Sequence, residues 1–312
     1  MEILLQLLFL AIGFVLLMKG ADWFVDGAAA IADRLGIPQL VIGLTIVAMG
    51  TSLPEAAVSI SAATKGSAAI TIGNVLGSNI MNVLVILGLT SVICAIPVQK
   101  STVHYEIPFV IVITVILAAL GLMDNQIGLL EGVILWGLMI VYLIYLLIMT
   151  KKGHVVQEEE KKDEKKKPIW LLIVMIIVGA VMIVNGSDVT VDAASKIATI
   201  LGMEERFIAL TIVAFGTSLP ELVTSVTATI KHKPDIAVGN IVGSNIFNIL
   251  FVVGTTALIA PVEYASSFLI DSIAALAAAV LLFLCVLPRK RLGRLGGFLM
   301  LVGYAAYFAY IL

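Results

Sequence analysis

The chain has 312 residues, of which 61% are hydrophobic and 13% charged, with a formal net charge of −2. A soluble domain is about 45–50% apolar and about 25% charged, so this balance excludes an ordinary soluble protein and implies an integral membrane protein. The two cysteines, Cys94 and Cys285, lie in different apolar runs and read as free thiols, not as a disulfide framework.

A membrane-spanning helix needs about 20 apolar residues. By that measure ten segments follow one another, near 3–25, 39–63, 69–95, 103–121, 127–150, 168–193, 205–230, 235–259, 265–286 and 292–312. The first is apolar from Ile3, lacks a basic leader, and reads as a retained helix. It carries Asp22 and Asp26 near its end, an i,i+4 pair that reads as interfacial, with a cation-attracting vestibule as the sharper alternative.

The second segment contains Gly50-Thr-Ser-Leu-Pro-Glu55. A carboxylate in a membrane-length apolar run costs roughly 2.5–3.5 kcal/mol on insertion scales and marks a functional site by default. Pro54 breaks the helix beside it and releases the Gly50 carbonyl. Backbone freed at membrane depth must line a cavity or be buried in protein. The third segment carries Gly73-Asn-Val-Leu-Gly-Ser78-Asn-Ile-Met-Asn82, with Ser78 and Asn82 on one helical face. Close helix packing explains a lone copy of such a motif equally well.

Glu106 and Glu131, in or beside the fourth and fifth segments, and Asp271 in the ninth read as interfacial. Residues 151–167, with seven lysines and the run Glu158-Glu-Glu-Lys-Lys-Asp-Glu, form a charged linker. Beyond it the chain repeats itself. Asp188, Asp192, Glu221, Ser244 and Asn248 each stand 166 positions after Asp22, Asp26, Glu55, Ser78 and Asn82. Gly20–Thr90 aligns with Gly186–Thr256 without a gap. Gly216-Thr-Ser-Leu-Pro-Glu221 repeats the broken-helix motif, and Gly239-Asn-Ile-Val-Gly-Ser244-Asn-Ile-Phe-Asn248 repeats the second one.

Five spans per half is an odd number, so the halves enter the membrane in opposite senses. The expected fold is all-α: ten transmembrane helices as two inverted five-helix repeats, with the second and seventh broken. The repeats occupy 1–150 and 168–312, joined by the linker at 151–167. Arg34, Lys100, the linker lysines, Lys231, Lys233, Arg289, Lys290, Arg291 and Arg294 fall on one side, against Lys65, Lys196 and Arg206 on the other. That bias puts the linker in the cytoplasm and both termini outside the cell membrane.

Glu55 and Glu221 have no lysine or arginine in a neighbouring span core except Lys19. Two carboxylates meeting at mid-membrane repel unless Ca²⁺, Na⁺ or a proton lies between them, and an all-oxygen donor set suits hard cations. No nucleotide-binding motif and no hydrolytic motif is present, so the residues point to a transporter without a cofactor and not to an enzyme. No nucleic-acid or obligate protein partner is implied.

On its paired Gly-Thr-Ser-Leu-Pro-Glu and Gly-Asn-x-x-Gly-Ser-Asn-x-x-Asn motifs, the chain resembles the cation/Ca²⁺ antiporter superfamily, in particular the prokaryotic sodium/calcium exchangers. The resemblance implies alternating access with Na⁺ driving Ca²⁺. It implies Glu55 and Glu221 as shared ligands, hydroxyls from Thr51, Ser52, Thr217 and Ser218, and carbonyls from Ala48 and Ala214. It also implies flanking Na⁺ ligands in Ser78 and Ser244, with Asn82 and Asn248 closing the centre. Some relatives, including the potassium-dependent branch, have Asp where this chain has Asn248, which argues for K⁺-independent exchange. A H⁺/Ca²⁺ exchanger on the same fold and a cation channel are the alternatives.

Overall fold

The computed structural model describes residues 2–68, 70–153, 167–203 and 214–311. Twelve helices occupy them. They are α1 (Glu2–Leu35), α2 (Gln39–Thr51), α3 (Leu53–Thr64), α4 (Ile70–Ile93), α5 (Thr102–Asp124), α6 (Leu129–Gly153) and α7 (Ile169–Ile200). Then follow α8 (Ala214–Thr217), α9 (Leu219–Ile230), α10 (Pro234–Ile259), α11 (Phe268–Val286) and α12 (Arg294–Ile311). Among the described residues eight helices are long and apolar enough to cross a membrane, and the bent pair α2–α3 raises this to nine. The expected seventh span falls partly on residues 204–213, outside the described residues. The first and sixth spans are longer than expected, running on to Leu35 and Ile200.

The α2–α3 bend is 48°. Ser52 leaves the helical region, with φ −86° and ψ 10°, and Pro54 sits in the first turn of α3, where its missing N–H costs nothing. Ser218 and Pro220 repeat this geometry between α8 and α9. The turns that close α3 and α9 are also matched. Gly66 (φ 79°) and His232 (φ 58°), 166 positions apart, both adopt the left-handed conformation.

Helices α4 and α10 form the centre: 94% of the apolar window of α10 and 72% of that of α4 is buried, against 22% for α1 and α7. The reason lies in small residues. A Cβ on Gly239 would stand 2.9 Å from the Leu40 carbonyl oxygen, and one on Gly43 3.0 Å from that of Ile236, so α2 and α10 cross backbone to backbone. Helices α1 and α7 pack along each other in the same way, through Gly20 and Gly179.

Among the described residues, four helices contain a widened π turn, at 43–47, 82–87, 102–106 and 248–253. Two of these begin at Asn82 and Asn248. Such turns re-aim the side chains that follow and are frequent at functional sites. Two antiparallel strand pairs tie the halves together. β1 (Ile96–Pro97) pairs with β4 (Arg291–Leu292), and β2 (Gln126–Ile127) with β3 (Val262–Glu263). Both cysteines are free.

Glu106 corrects the sequence expectation. It is 1% exposed, enclosed by protein where the sequence suggests a solvated side chain, and accepts a hydrogen bond from the Tyr145 hydroxyl on α6. Asp271 is also tied, accepting from Tyr307 at 2.8 Å. In each half, then, a carboxylate on the penultimate helix is held by a tyrosine on the last, a link invisible at the 166-residue offset.

Candidate cation site

The two helix breaks bring Glu55 and Glu221, each in the first turn of its helix, into one buried region, where Ser52 of the first break meets Glu221 of the second. Both are almost fully enclosed, at 1% and 0% exposure. Each is held from the helix that follows. Asn74 Nδ2 donates to the Glu55 carbonyl (3.1 Å) and to Ser59 Oγ (3.0 Å). Asn240 Nδ2 donates to the Glu221 carbonyl (3.4 Å) and to Ser225 Oγ (3.0 Å).

The halves interlock. Ser52 Oγ donates to Glu221 Oε1 at 2.9 Å, and Thr51 Oγ1 donates to Asn240 Oδ1 at 2.9 Å. Thr51 and Ser244 also face the Glu221 carboxylate, while Ser78 faces that of Glu55. The Ala48 carbonyl receives the Ser52 N–H (3.0 Å) and lies 3.4 Å from Ser244 Oγ. The π turn opening at Asn82 packs against α9, and that opening at Asn248 against α3. Thr217 ends α8, and Ala214 is described only as its first residue.

Thirteen buried side-chain oxygens have no hydrogen-bond partner among the described residues, and five of them lie on the residues proposed from the motifs: Glu55 Oε2, Glu221 Oε2, Asn82 Oδ1, Asn248 Oδ1 and Ser218 Oγ. Leaving a buried polar atom unpaired costs about 1–3 kcal/mol, more when it is charged. The other eight are seven hydroxyls and Glu106 Oε2, so what distinguishes the motif residues is that two carboxylates and both unpaired amides fall on them. Among the described residues no group of three or more His, Cys, Asp or Glu side chains could hold a metal. The donor set is two carboxylates with neutral hydroxyls and amides, suited to hard cations.

Not every freed oxygen is available. The Gly216 carbonyl that Pro220 releases accepts from Ser187 Oγ at 2.7 Å. The equivalent of Ser187 in the first half is Ala21, so this closure has no mate there.

Asp22 and Asp26 are partly exposed and ion-paired across the two halves. Lys231 Nζ bridges them, at 3.1 and 2.9 Å from their Oδ1 atoms. The roles of Asn74, Asn240, Asn79 and Asn245 were missed from sequence. Their doubled placement inside the second motif was the available signal.

A family model described as sodium/calcium exchanger protein matches residues 5–149 and 171–312. CaxA of Alkalimonas amylolytica is 38% identical, over 97% of this chain and 98% of its own. Inner membrane protein YrbG of Escherichia coli K12 is 32% identical, over 98% and 96%. The structure of the sodium-calcium exchanger NCX_Mj soaked with zero Na⁺ and Ca²⁺ matches with a TM-score of 0.85 at 31% identity, over 99% of this chain and 100% of that one.

Proposed function

Because the chain belongs to the sodium/calcium exchanger family, whose members are secondary active Na⁺/Ca²⁺ antiporters and not enzymes, we propose that Glu55 and Glu221 form its shared transport site. The observation that carries this reading is that five of the unpaired buried oxygens, two of them carboxylate, fall on equivalent motif residues from both halves. Ca²⁺ and Na⁺ are the transported substrates and need no cofactor. Thr51, Ser52, Thr217, Ser218, Ser78 and Ser244 supply hydroxyls around the carboxylates, Ala48 and Ala214 supply carbonyls, and Asn82 and Asn248 close the centre.

The architecture that fits is ten spans in two inverted repeats, 1–150 and 168–312, with the seventh span broken like the second. Reciprocal contacts support the pseudo-twofold axis. Asn79 Nδ2 donates to the Asn245 carbonyl at 3.2 Å, and Asn245 Nδ2 to the Asn79 carbonyl at 3.3 Å. A contact returned between equivalent positions is what a twofold axis generates. The orientation is cytoplasmic for the linker and external for both termini, in the cell's inner membrane, where YrbG is named as residing. The position of Arg34 supports a common side for the basic residues, since its Nη1 donates to the Lys167 carbonyl at 2.6 Å.

Charge supplies the coupling. Two carboxylates neutralise one Ca²⁺, or Na⁺ ions spread over carboxylates, hydroxyls and carbonyls. A compensated site can be enclosed and carried across; two bare carboxylates cannot be desolvated without a large cost. Exchange therefore proceeds and leak does not. Asn at both central positions keeps the site to two acids and makes exchange K⁺-independent. Radiolabelled Ca²⁺ uptake into Na⁺-loaded proteoliposomes diluted into Na⁺-free medium tests this. Uptake is expected with the Na⁺ gradient and not with a pH gradient alone. Uptake driven by the pH gradient alone would make the protein a H⁺/Ca²⁺ exchanger, and non-saturable flux without counterflow would make it a channel.

A further inference from the structure

We infer that Asn79 and Asn245 are positioning residues that hold the Asn82 and Asn248 amides with their oxygens toward the glutamates; this rests on the transport-site reading above. An amide has two unlike ends, an oxygen that attracts a cation and an NH₂ that repels it. Which end faces the site can be deduced from groups that have no such ambiguity. A backbone carbonyl only accepts. The Asn79 and Asn245 nitrogens are each fixed on the other's carbonyl, at 3.2 and 3.3 Å.

Their Oδ1 atoms therefore point away and can only accept. Asn245 Oδ1 receives Asn82 Nδ2 at 3.0 Å, and Asn79 Oδ1 receives Asn248 Nδ2 at 3.2 Å. Both outer nitrogens are thus directed to the inner amides, and Asn82 Oδ1 and Asn248 Oδ1 are left buried without partners among the described residues. The four amides close a ring across the two halves. Flipping Asn245 would set donor against donor at Asn82 and acceptor against acceptor at the Asn79 carbonyl.

Polar glue between packed helices is the competing explanation, and it makes no reference to which atom residue 82 presents. A carboxylate offers oxygen at either end and needs no orienting. The test is Ca²⁺ binding to the purified full chain carrying Asn245→Ala, Asn82→Asp or both. Asn245→Ala alone is expected to weaken Ca²⁺ binding by about tenfold, the scale of one lost buried hydrogen bond. Added to Asn82→Asp, it is expected to change binding by less than about twofold. An equal loss in both backgrounds would overturn the positioning role. Should Asn245→Ala fail to fold, Asn79→Ala with and without Asn248→Asp makes the same comparison from the other half. Unchanged binding in Asn82→Ala would overturn the site reading itself and this inference with it.

A second inference rests on a different observation. Lys65 stands 166 positions before Lys231, as Asp22 and Asp26 do before Asp188 and Asp192. Lys231 bridges its two aspartates, yet Lys65 makes no ion pair with Asp188 or Asp192. The asymmetry points to a pair of alternating ties, one closed on the linker side of the membrane and one open on the other, exchanged in the opposite conformation. The test uses chains in which Cys94 and Cys285 are replaced. Lys231→Cys with Asp26→Cys and Lys65→Cys with Asp192→Cys are each probed with a short bifunctional thiol reagent. The first pair is expected to link in the resting protein, and the second only under Na⁺/Ca²⁺ turnover. Absence of linking at the second pair in a variant that still transports would overturn the alternation, while loss of Na⁺-driven transport in the wild type would refute the function.

Discussion

Ser52 and Glu221 come from opposite halves of the chain, and the Ser52 hydroxyl donates 2.9 Å to one oxygen of the Glu221 carboxylate. Its equivalent, Ser218 Oγ, is buried with no partner among the described residues. The two serines therefore differ in this conformation although their motifs are identical. Ser52→Ala removes a hydrogen bond to a buried carboxylate, an interaction worth about 1.5–3 kcal/mol. Ser218→Ala removes none that the structure shows. Thermal stability of the ion-free protein is predicted to fall more in Ser52→Ala than in Ser218→Ala; the reverse order would contradict the assignment.

Asn248 sets the number of acids at the centre. Ca²⁺ uptake by the wild-type protein is predicted to be unchanged when K⁺ is replaced by choline at a clamped membrane voltage. Asn248→Asp adds a carboxylate that Ca²⁺ alone does not compensate. It is predicted to bind Ca²⁺ more tightly and exchange more slowly, readable as a lower apparent KM and a lower maximal uptake rate.

Glu106 lies buried outside the transport site, with Tyr145 as its donor. Tyr145→Phe leaves that carboxyl oxygen unpaired and is predicted to destabilise the protein by about 1–3 kcal/mol. Glu106→Gln keeps an acceptor for the tyrosine and is predicted to cost less. Thermal unfolding in detergent distinguishes the two, and exchange by the folded fraction is predicted to persist in both.

Burial disfavours the Lys231 ammonium, but hydrogen bonds and charges from Asp26 and Asp22 outweigh it and raise its pKa above the ordinary lysine value. A raised folded pKa gives stability that is fully present below the unfolded value of 10.5 and is lost as pH rises through the folded one. The tie is therefore predicted to hold across neutral pH. Its aspartate side chains are 40% and 52% exposed, so solvent screening limits it to about 0–1 kcal/mol. Salt near 1 M, where the Debye length is about 3 Å, is the condition predicted to loosen it. Amide hydrogen exchange around Lys231, compared between the wild type and Lys231→Met at rising pH and salt, would detect either change.

The two glutamates, the helix breaks and the paired motifs were legible in the sequence because each breaks a strong rule: a charge and a proline inside an apolar run, repeated at one offset. The lengths of α1 and α7 were less so. Their polar ends look interfacial, yet the two helices pack closely at Gly13, Gly20 and Gly27, past Asp22 on α1 and as far as Thr190 on α7. The enclosure of Glu106 was not legible, because the residues around it are polar and its partner Tyr145 lies 39 positions away. Asn79 and Asn245 stood in view inside a quoted motif. Their function depends on which end of an amide faces which carbonyl, and only coordinates give that.

The central claim is that Na⁺ and Ca²⁺ share one site built on both glutamates. Equilibrium binding of radiolabelled Ca²⁺ to the purified protein, titrated with Na⁺, tests it most directly in the wild type, Glu55→Gln and Glu221→Gln. The account predicts competitive displacement by Na⁺ in the wild type. It also predicts a loss of Ca²⁺ affinity of about 100-fold or more in either variant, equivalent to about 2.8 kcal/mol. Wild-type affinity in either glutamine variant, or Ca²⁺ binding indifferent to Na⁺, would contradict it.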